Sequence, residues 1–202
     1  MILVRSAAFL AAATIVAGCE AQNTTAVRPA ATAAPITSSQ VTGVAPKNAI
    51  VTLLPGAGVL PMPDQPAVMD QYAKQFVPTV LIARVGQPVE FRNSEDMPHN
   101  VSVTRRESGV AVFTVGTEPH QKYVQTFDRV GQFDVKCDIH EGMEATLIVA
   151  AGPETIIAGD DGQFSFSNVP LGSYKLSVTY DGQTVEQAID VRDAQTNLKL
   201  VR

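Results

Sequence analysis

"FDVKCDIHEGM", Phe133–Met143, is the stretch on which the reading of this chain turns. Its first five residues alternate. Phe133, Val135 and Cys137 share one face, and Asp134 and Lys136 share the other, the period of a half-buried β-strand. The strand therefore delivers the Cys137 thiol to the inner side of a sheet, at its end. His140 and Met143 follow at three-residue intervals. A thiol, an imidazole and a thioether stand together in a chain with two cysteines and three histidines in all. They read either as a surface loop with an incidental cysteine or as one wall of a metal site.

Outward from this stretch the same texture recurs. "VPTVLIARVG", "QPVEFRN", "HNVSVTRR", "GVAVFTVG", "YVQTFDRVGQ" and "MEATLIVA" are short runs rich in Val, Thr, Phe and Ile, separated by Gly, Pro, Asn and Asp. Beyond the first twenty residues no segment carries a strong 3.6-residue period. The chain reads as an all-β protein of antiparallel strands. Its 202 residues, 45% of them hydrophobic, suit one or two small domains. A formal charge of −5 argues against nucleic acid, whose phosphates require clustered Lys and Arg.

Partners for Cys137 must come from elsewhere in the chain. His99 lies at the start of "HNVSVTRR", after the turn-prone "NSEDMP". Two imidazoles and a thiolate in a trigonal set, with a weak thioether at a distance, is the coordination of blue copper centres. His99, Cys137, His140 and Met143 supply that set. Asn100, beside His99, is placed to hydrogen-bond around the ligand loop and hold it. Met62 and Met69 read as packing residues, and His120, in "TEPHQKY", as an exposed loop residue.

"VEFRNSEDMPHNV" (Val89–Val101) together with "GQFDVKCDIHEGM" (Gly131–Met143) resembles the cupredoxins, in particular the plastocyanin and amicyanin group. The resemblance covers roughly residues 48–150. It implies a Greek-key β-sandwich holding one type 1 copper, with Cys137 as the dominant ligand, His99 and His140 equatorial, and Met143 axial. It also implies that His140 reaches the surface through an apolar patch while His99 is enclosed. Met97, Pro98, Ile139, Gly142 and Met143 are candidates for that rim. Amicyanins carry Pro in the loop where this chain has Asp138-Ile139 and Glu141-Gly142, a difference that bears on loop rigidity and potential.

The texture changes after Ala151. "GDDGQFSFSNVPLGSYKLSV" is similar to the transthyretin-like, or carboxypeptidase-regulatory-like, β-sandwich. Asp161-Gly162 and Asp181-Gly182 are hairpin signals between alternating runs. Such domains usually begin with a strand like "VTGVAPKNAIVTLLPG", which here lies upstream of the cupredoxin-like segment. Two arrangements follow. Either residues 48–150 form the cupredoxin and 151–202 the second unit, or residues 36–60 complete the second unit and the cupredoxin is inserted within it.

At the other end, a positive n-region and an apolar run, Ala7–Ala17, read as an export signal. "VAGC", Val16–Cys19, resembles the bacterial lipobox. That resemblance implies a signal peptide over 1–18, a lipid on Cys19, and a cell-envelope protein facing the periplasm or exterior. Residues 19–47, rich in Ala, Thr, Ser and Pro, read as a flexible tether. A lipidated Cys19 leaves Cys137 without a disulfide partner, and metal ligation is the evident use of a lone exported thiol.

The expected function is single-electron transfer on a mononuclear copper. A protein redox partner is expected, such as a cytochrome or a membrane oxidoreductase, with the membrane engaged through the lipid. The other readings are copper delivery and a structural sandwich with a non-redox metal such as zinc. An enzyme is disfavoured because catalytic copper needs further histidines, and only His120 is left over.

Overall fold

The structure, a computed structural model, describes residues 37–58 and 60–199. The expected signal peptide, the Cys19 lipid site and the tether up to residue 36 lie outside the described residues. Two strands come first: β1 (Ser38–Val44) and β2 (Ile50–Pro55). Nine follow: β3 (Ala67–Tyr72), β4 (Gln75–Val77), β5 (Val80–Arg84), β6 (Pro88–Asn93), β7 (His99–Arg105), β8 (Val110–Thr117), β9 (Lys122–Thr126), β10 (Gly131–Lys136) and β11 (Glu144–Ala150). The last five are β12 (Thr155–Ile157), β13 (Gln163–Pro170), β14 (Gly172–Tyr180), β15 (Gln183–Val191) and β16 (Gln195–Lys199).

β3–β11 make two sheets, ordered β5-β11-β10-β7-β8 and β4-β3-β6-β9. Their inner faces meet over one core that includes Phe91, Phe133, Val101, Val103, Leu147 and Val149. Phe127 and Phe133 pack with ring centroids 4.8 Å apart. Alternation in the sequence becomes alternation of burial here, as in β10, where Phe133 and Val135 are buried and Asp134 is half-exposed.

The remaining strands form the second sandwich, with sheets β13-β1-β16 and β12-β2-β14-β15. Val41, Val51, Leu53, Phe164, Phe166, Leu176 and Val178 fill its core. Of the two arrangements open to the sequence, the structure takes the second. β2 pairs with β14 and β12, so residues 50–55 do not open the cupredoxin-like sandwich. The whole of β3–β11 is inserted between β2 and β12. Residues 38–44, expected within the tether, are instead strand β1, paired with β13 and β16. Ser, Thr and Gly content disguised this strand: its register is supplied by partners more than a hundred residues away.

The two hairpin signals diverge. Asp181-Gly182 closes the β14–β15 hairpin, with both residues at positive φ, 46° and 71°. Asp161-Gly162 closes no hairpin. It turns the chain from β12 in one sheet to β13 in the other, and the Asp161 carboxylate accepts the Gln163 amide.

The sandwiches touch through Ile50, Ile148 and Ala150, with Val130 and Ile157 around them. Gln132 Nε2 also donates to the Asn48 carbonyl at 2.6 Å. These contacts involve the start of β10 and the end of β11. Cys137 and Met143 lie at the opposite ends of the same two strands. The metal-ligand candidates therefore sit at the end of the inserted sandwich remote from the second one.

Candidate metal centre

β10 is clamped between β7 and β11, with Val135 opposite Val103 and Ala145. One residue past its end, Cys137 continues the inward face and is buried. The loop then returns tightly. The Cys137 amide donates to the Met143 carbonyl at 3.0 Å, and the Met143 amide lies 3.5 Å from the His140 carbonyl. Gly142, at φ 75°, takes the left-handed conformation this reversal requires.

His99 reaches the same point from β7, where it pairs with Thr117 of β8. Its ring is enclosed, with the residue 2% exposed. His99 Nδ1 stands 3.7 Å from Cys137 Sγ, and His140 Nδ1 stands 3.5 Å from it. The three donor atoms all lie within 4.8 Å of one another. Bonds of about 2.1–2.3 Å to a central ion would set neighbouring donors about 3.5–3.8 Å apart. The spacing fits a shared ion, and the donor set, one soft sulfur and two imidazole nitrogens, fits copper. Among the described residues this is the group of three such side chains close enough to hold a metal.

The orientation of His99 has a visible cause. Its Nε2 lies 2.7 Å from Glu95 Oε2. The carboxylate accepts a hydrogen bond from Nε2–H, which leaves the Nδ1 lone pair facing Cys137. Burial works against the charge on Glu95, but hydrogen bonds from His99 and from the Lys74 and Ala73 amides outweigh it and hold the carboxyl below its usual range. Burial, followed by the proximity of His99 and Lys74, pushes the His140 imidazole down. A lowered value favours the neutral ring, which is the form that ligates a metal.

A second set of buried polar groups holds the loop before His99. Asn93 Nδ2 donates to the carbonyls of Met97 (2.8 Å) and Thr117 (2.9 Å), and its Oδ1 accepts the Glu95 amide (3.0 Å). Gln71 accepts from Thr117 Oγ1 at 2.6 Å and donates to the Asn100 carbonyl at 3.0 Å. Sequence reasoning singled out none of Glu95, Asn93 or Gln71. Glu95 could have been noticed as an acid four residues before a candidate ligand. Nothing local marks Gln71, which arrives from β3.

Asn100 bonds the ligand loop. Its Nδ2 donates to Asp138 Oδ2 at 2.8 Å, and its Oδ1 accepts the Asp138 amide at 2.7 Å. Met143 is 1% exposed and belongs to the core, so it is no part of an apolar rim. Ile139 is 58% exposed, Met97 lies at the surface, and His140 is half-buried, less exposed than either. Met69 packs in the core and Met62 is exposed. His120 is exposed and pairs with Asp96 at 2.9 Å, joining the 118–121 loop to the 94–98 loop.

Residues 66–150 match the family of copper binding proteins, plastocyanin/azurin family. The match falls within the inserted sandwich and includes its three converging donors, which fit copper. Similar solved structures include two amicyanin variants. A Cu(I) form is 25% identical over 52% of this chain and 100% of that one, with a TM-score of 0.39. A reduced form is 26% identical with the same coverage and score. A copper-containing nitrite reductase (NirK) from Thermus scotoductus SA-01 is 23% identical over 48% of this chain and 25% of its own, with a TM-score of 0.41. No curated protein matches the chain.

Proposed function

We propose that this protein carries single electrons on one type 1 copper held by Cys137, His99, His140 and Met143. The observation that carries the reading is the convergence of one buried thiol and two Nδ1 atoms, with neither sulfur nor nitrogen engaged elsewhere. When bound, copper supplies a one-electron couple between Cu(I) and Cu(II). The chain supplies everything else. Cys137 and His99 enter from two paired strands of one sheet, so their separation is held by the β7–β10 ladder. Glu95 fixes the ring that faces the thiol, and the Asn100–Asp138 pair ties the ligand loop to β7. A donor set that moves little between two charge states keeps the reorganisation accompanying electron transfer small.

His140 is the ligand nearest the surface; Ile139, beside it in sequence, and Met97, two residues before His99, are exposed. A small apolar rim suits brief contact with a redox partner protein, since such encounters use little interface. Asp138 and Glu141 in the same loop favour a basic partner. The leftover imidazole, His120, lies at the surface beside Asp96 and outside the donor cluster. The lipobox resemblance supports a lipid on Cys19 and a site in the bacterial cell envelope. Firm anchoring would need the several acyl chains of a lipoprotein, since one binds only marginally.

Visible and EPR spectra after Cu(II) addition test this reading. An intense blue band from sulfur-to-copper charge transfer is expected, absent in Cys137→Ser. A colourless wild-type protein that takes up zinc stoichiometrically in preference would refute it.

A further inference from the structure

The β3–β4 hairpin turns on only two residues, since Tyr72 pairs with Gln75. Both turn residues are left-handed: Ala73 has φ 53° and Lys74 φ 54°. This is the type I′ geometry, which normally selects Asn, Asp or Gly because a Cβ there is crowded. Ala and Lys in such positions are strained by a crowded Cβ, and a turn that only reversed the chain would not require them. What sets this turn apart is where its amides point. The Lys74 N–H donates to Glu95 Oε1 at 2.9 Å. The neighbouring Ala73 amide also favours the charged form of this carboxylate, as the smallest of the contributions that do so. The other oxygen, Oε2, faces His99 Nε2.

We infer that the Ala73–Lys74 turn is a positioning device for the metal site, whose Lys74 amide grips the Glu95 carboxylate and thereby sets the His99 ring. Successive N–H groups in a turn make a small anion-binding concavity, and here the anion is a side chain of the same chain. A charge-assisted hydrogen bond is about twice as strong as a neutral one, which offsets part of the strain of the two left-handed residues. The gripped carboxylate has one oxygen left, and it can meet His99 Nε2 from only one direction. A hairpin more than twenty residues upstream of the first candidate ligand thus decides how that ligand's Nδ1 faces Cys137. Glu95 and the two turn residues are positioning residues. The inference rests on the copper-site reading for its purpose, but its geometry can be tested without metal.

The test uses the metal-free full chain and proton–nitrogen NMR. In wild type the Lys74 amide should exchange slowly for a residue in an exposed turn, and the His99 Nε2–H should give a low-field, protected resonance. Inserting one glycine between Ala73 and Lys74 lengthens the turn and turns its amides away. This insertion and Glu95→Ala should each speed Lys74 amide exchange about tenfold or more and expose the His99 Nε2–H. Lys74→Gly retains the amide and accepts positive φ at no steric cost, so it should preserve both signals and raise the melting temperature. A merely structural turn would alter melting without moving the His99 resonance. If the insertion leaves the Nε2–H resonance unchanged, the inference is overturned. In copper-loaded protein the insertion should also shift the reduction potential, and an unshifted potential would count against it. Failure of wild type to bind copper would instead overturn the function proposed above, because the metal-free signals do not depend on it.

Discussion

Asn100 and Asp138 hold each other twice: the Asn100 amide donates to the Asp138 carboxylate at 2.8 Å, and its carbonyl accepts the Asp138 backbone N–H at 2.7 Å. One residue lies beside His99 on β7 and the other beside Cys137, so the pair staples two ligand-bearing segments together. Asn100→Ala should keep the blue band, because no ligand is lost, but free the loop. Copper affinity should fall about 10- to 100-fold, as removal of such outer groups commonly does. Competition with a chelator measures this, and an unchanged affinity would mean the staple is redundant.

Met143 presents a different expectation. Its burial in the core means the side chain serves packing as well as the site. Met143→Leu conserves volume, so the stability cost should stay below about 1.5 kcal/mol. The reduction potential should rise, since thioether donation that favours the oxidised ion is lost. Voltammetry on the blue variant decides the matter. A potential equal to wild type would remove Met143 from the ligand set.

Glu90 should govern part of the acid stability. It is buried on β6, with Lys122 Nζ at 2.8 Å and Arg92 at 2.7 Å. The hydrogen bond from Lys122, then that from Arg92, lowers its carboxyl below the ordinary 4.5, against the opposing effect of burial. A lowered folded-state value stabilises the protein fully above the unfolded value, and the contribution disappears as pH falls through the lower folded one. Glu90→Gln in metal-free protein should therefore melt earlier than wild type at neutral pH. The gap should close below about pH 4.5. Melting followed by circular dichroism from pH 7 to 3 would show it, and a gap independent of pH would contradict it.

The junction between the sandwiches offers a fourth expectation. Ile148 packs against Ile50 and Ala150 where the two cores meet. Ile148→Ala should cost about 2–5 kcal/mol, as buried Ile truncations do, and loosen the coupling between the two bodies. Calorimetry should then show a broadened or divided transition, whereas the blue spectrum of the copper-loaded variant should be retained because the site lies at the other end of β10 and β11. A single sharp transition at the wild-type temperature would mean this cluster does not couple them.

By itself the sequence determined the all-β class, the strands from β5 to β11, and the candidate donors His99, Cys137, His140 and Met143. These are local properties. Alternation places a side chain on a face, and a seven-residue loop brings three donors near each other without help from the rest of the chain. Asn100 was legible for the same reason, being adjacent to a ligand. The structure alone decided that β1 and β2 belong with β12–β16, because strand partnership across an insertion of about a hundred residues depends on which core closes, and "AIVTLLP" suits either one. It alone decided the fate of the two Asp-Gly turns, since the dipeptide specifies a reversal but not the sheet that receives the next strand. It alone revealed Glu95, Gln71 and the Ala73–Lys74 turn around His99. Their roles arise from hydrogen bonds between segments distant in sequence, and a polar residue buried for such a bond looks, in one dimension, like any other residue in a loop.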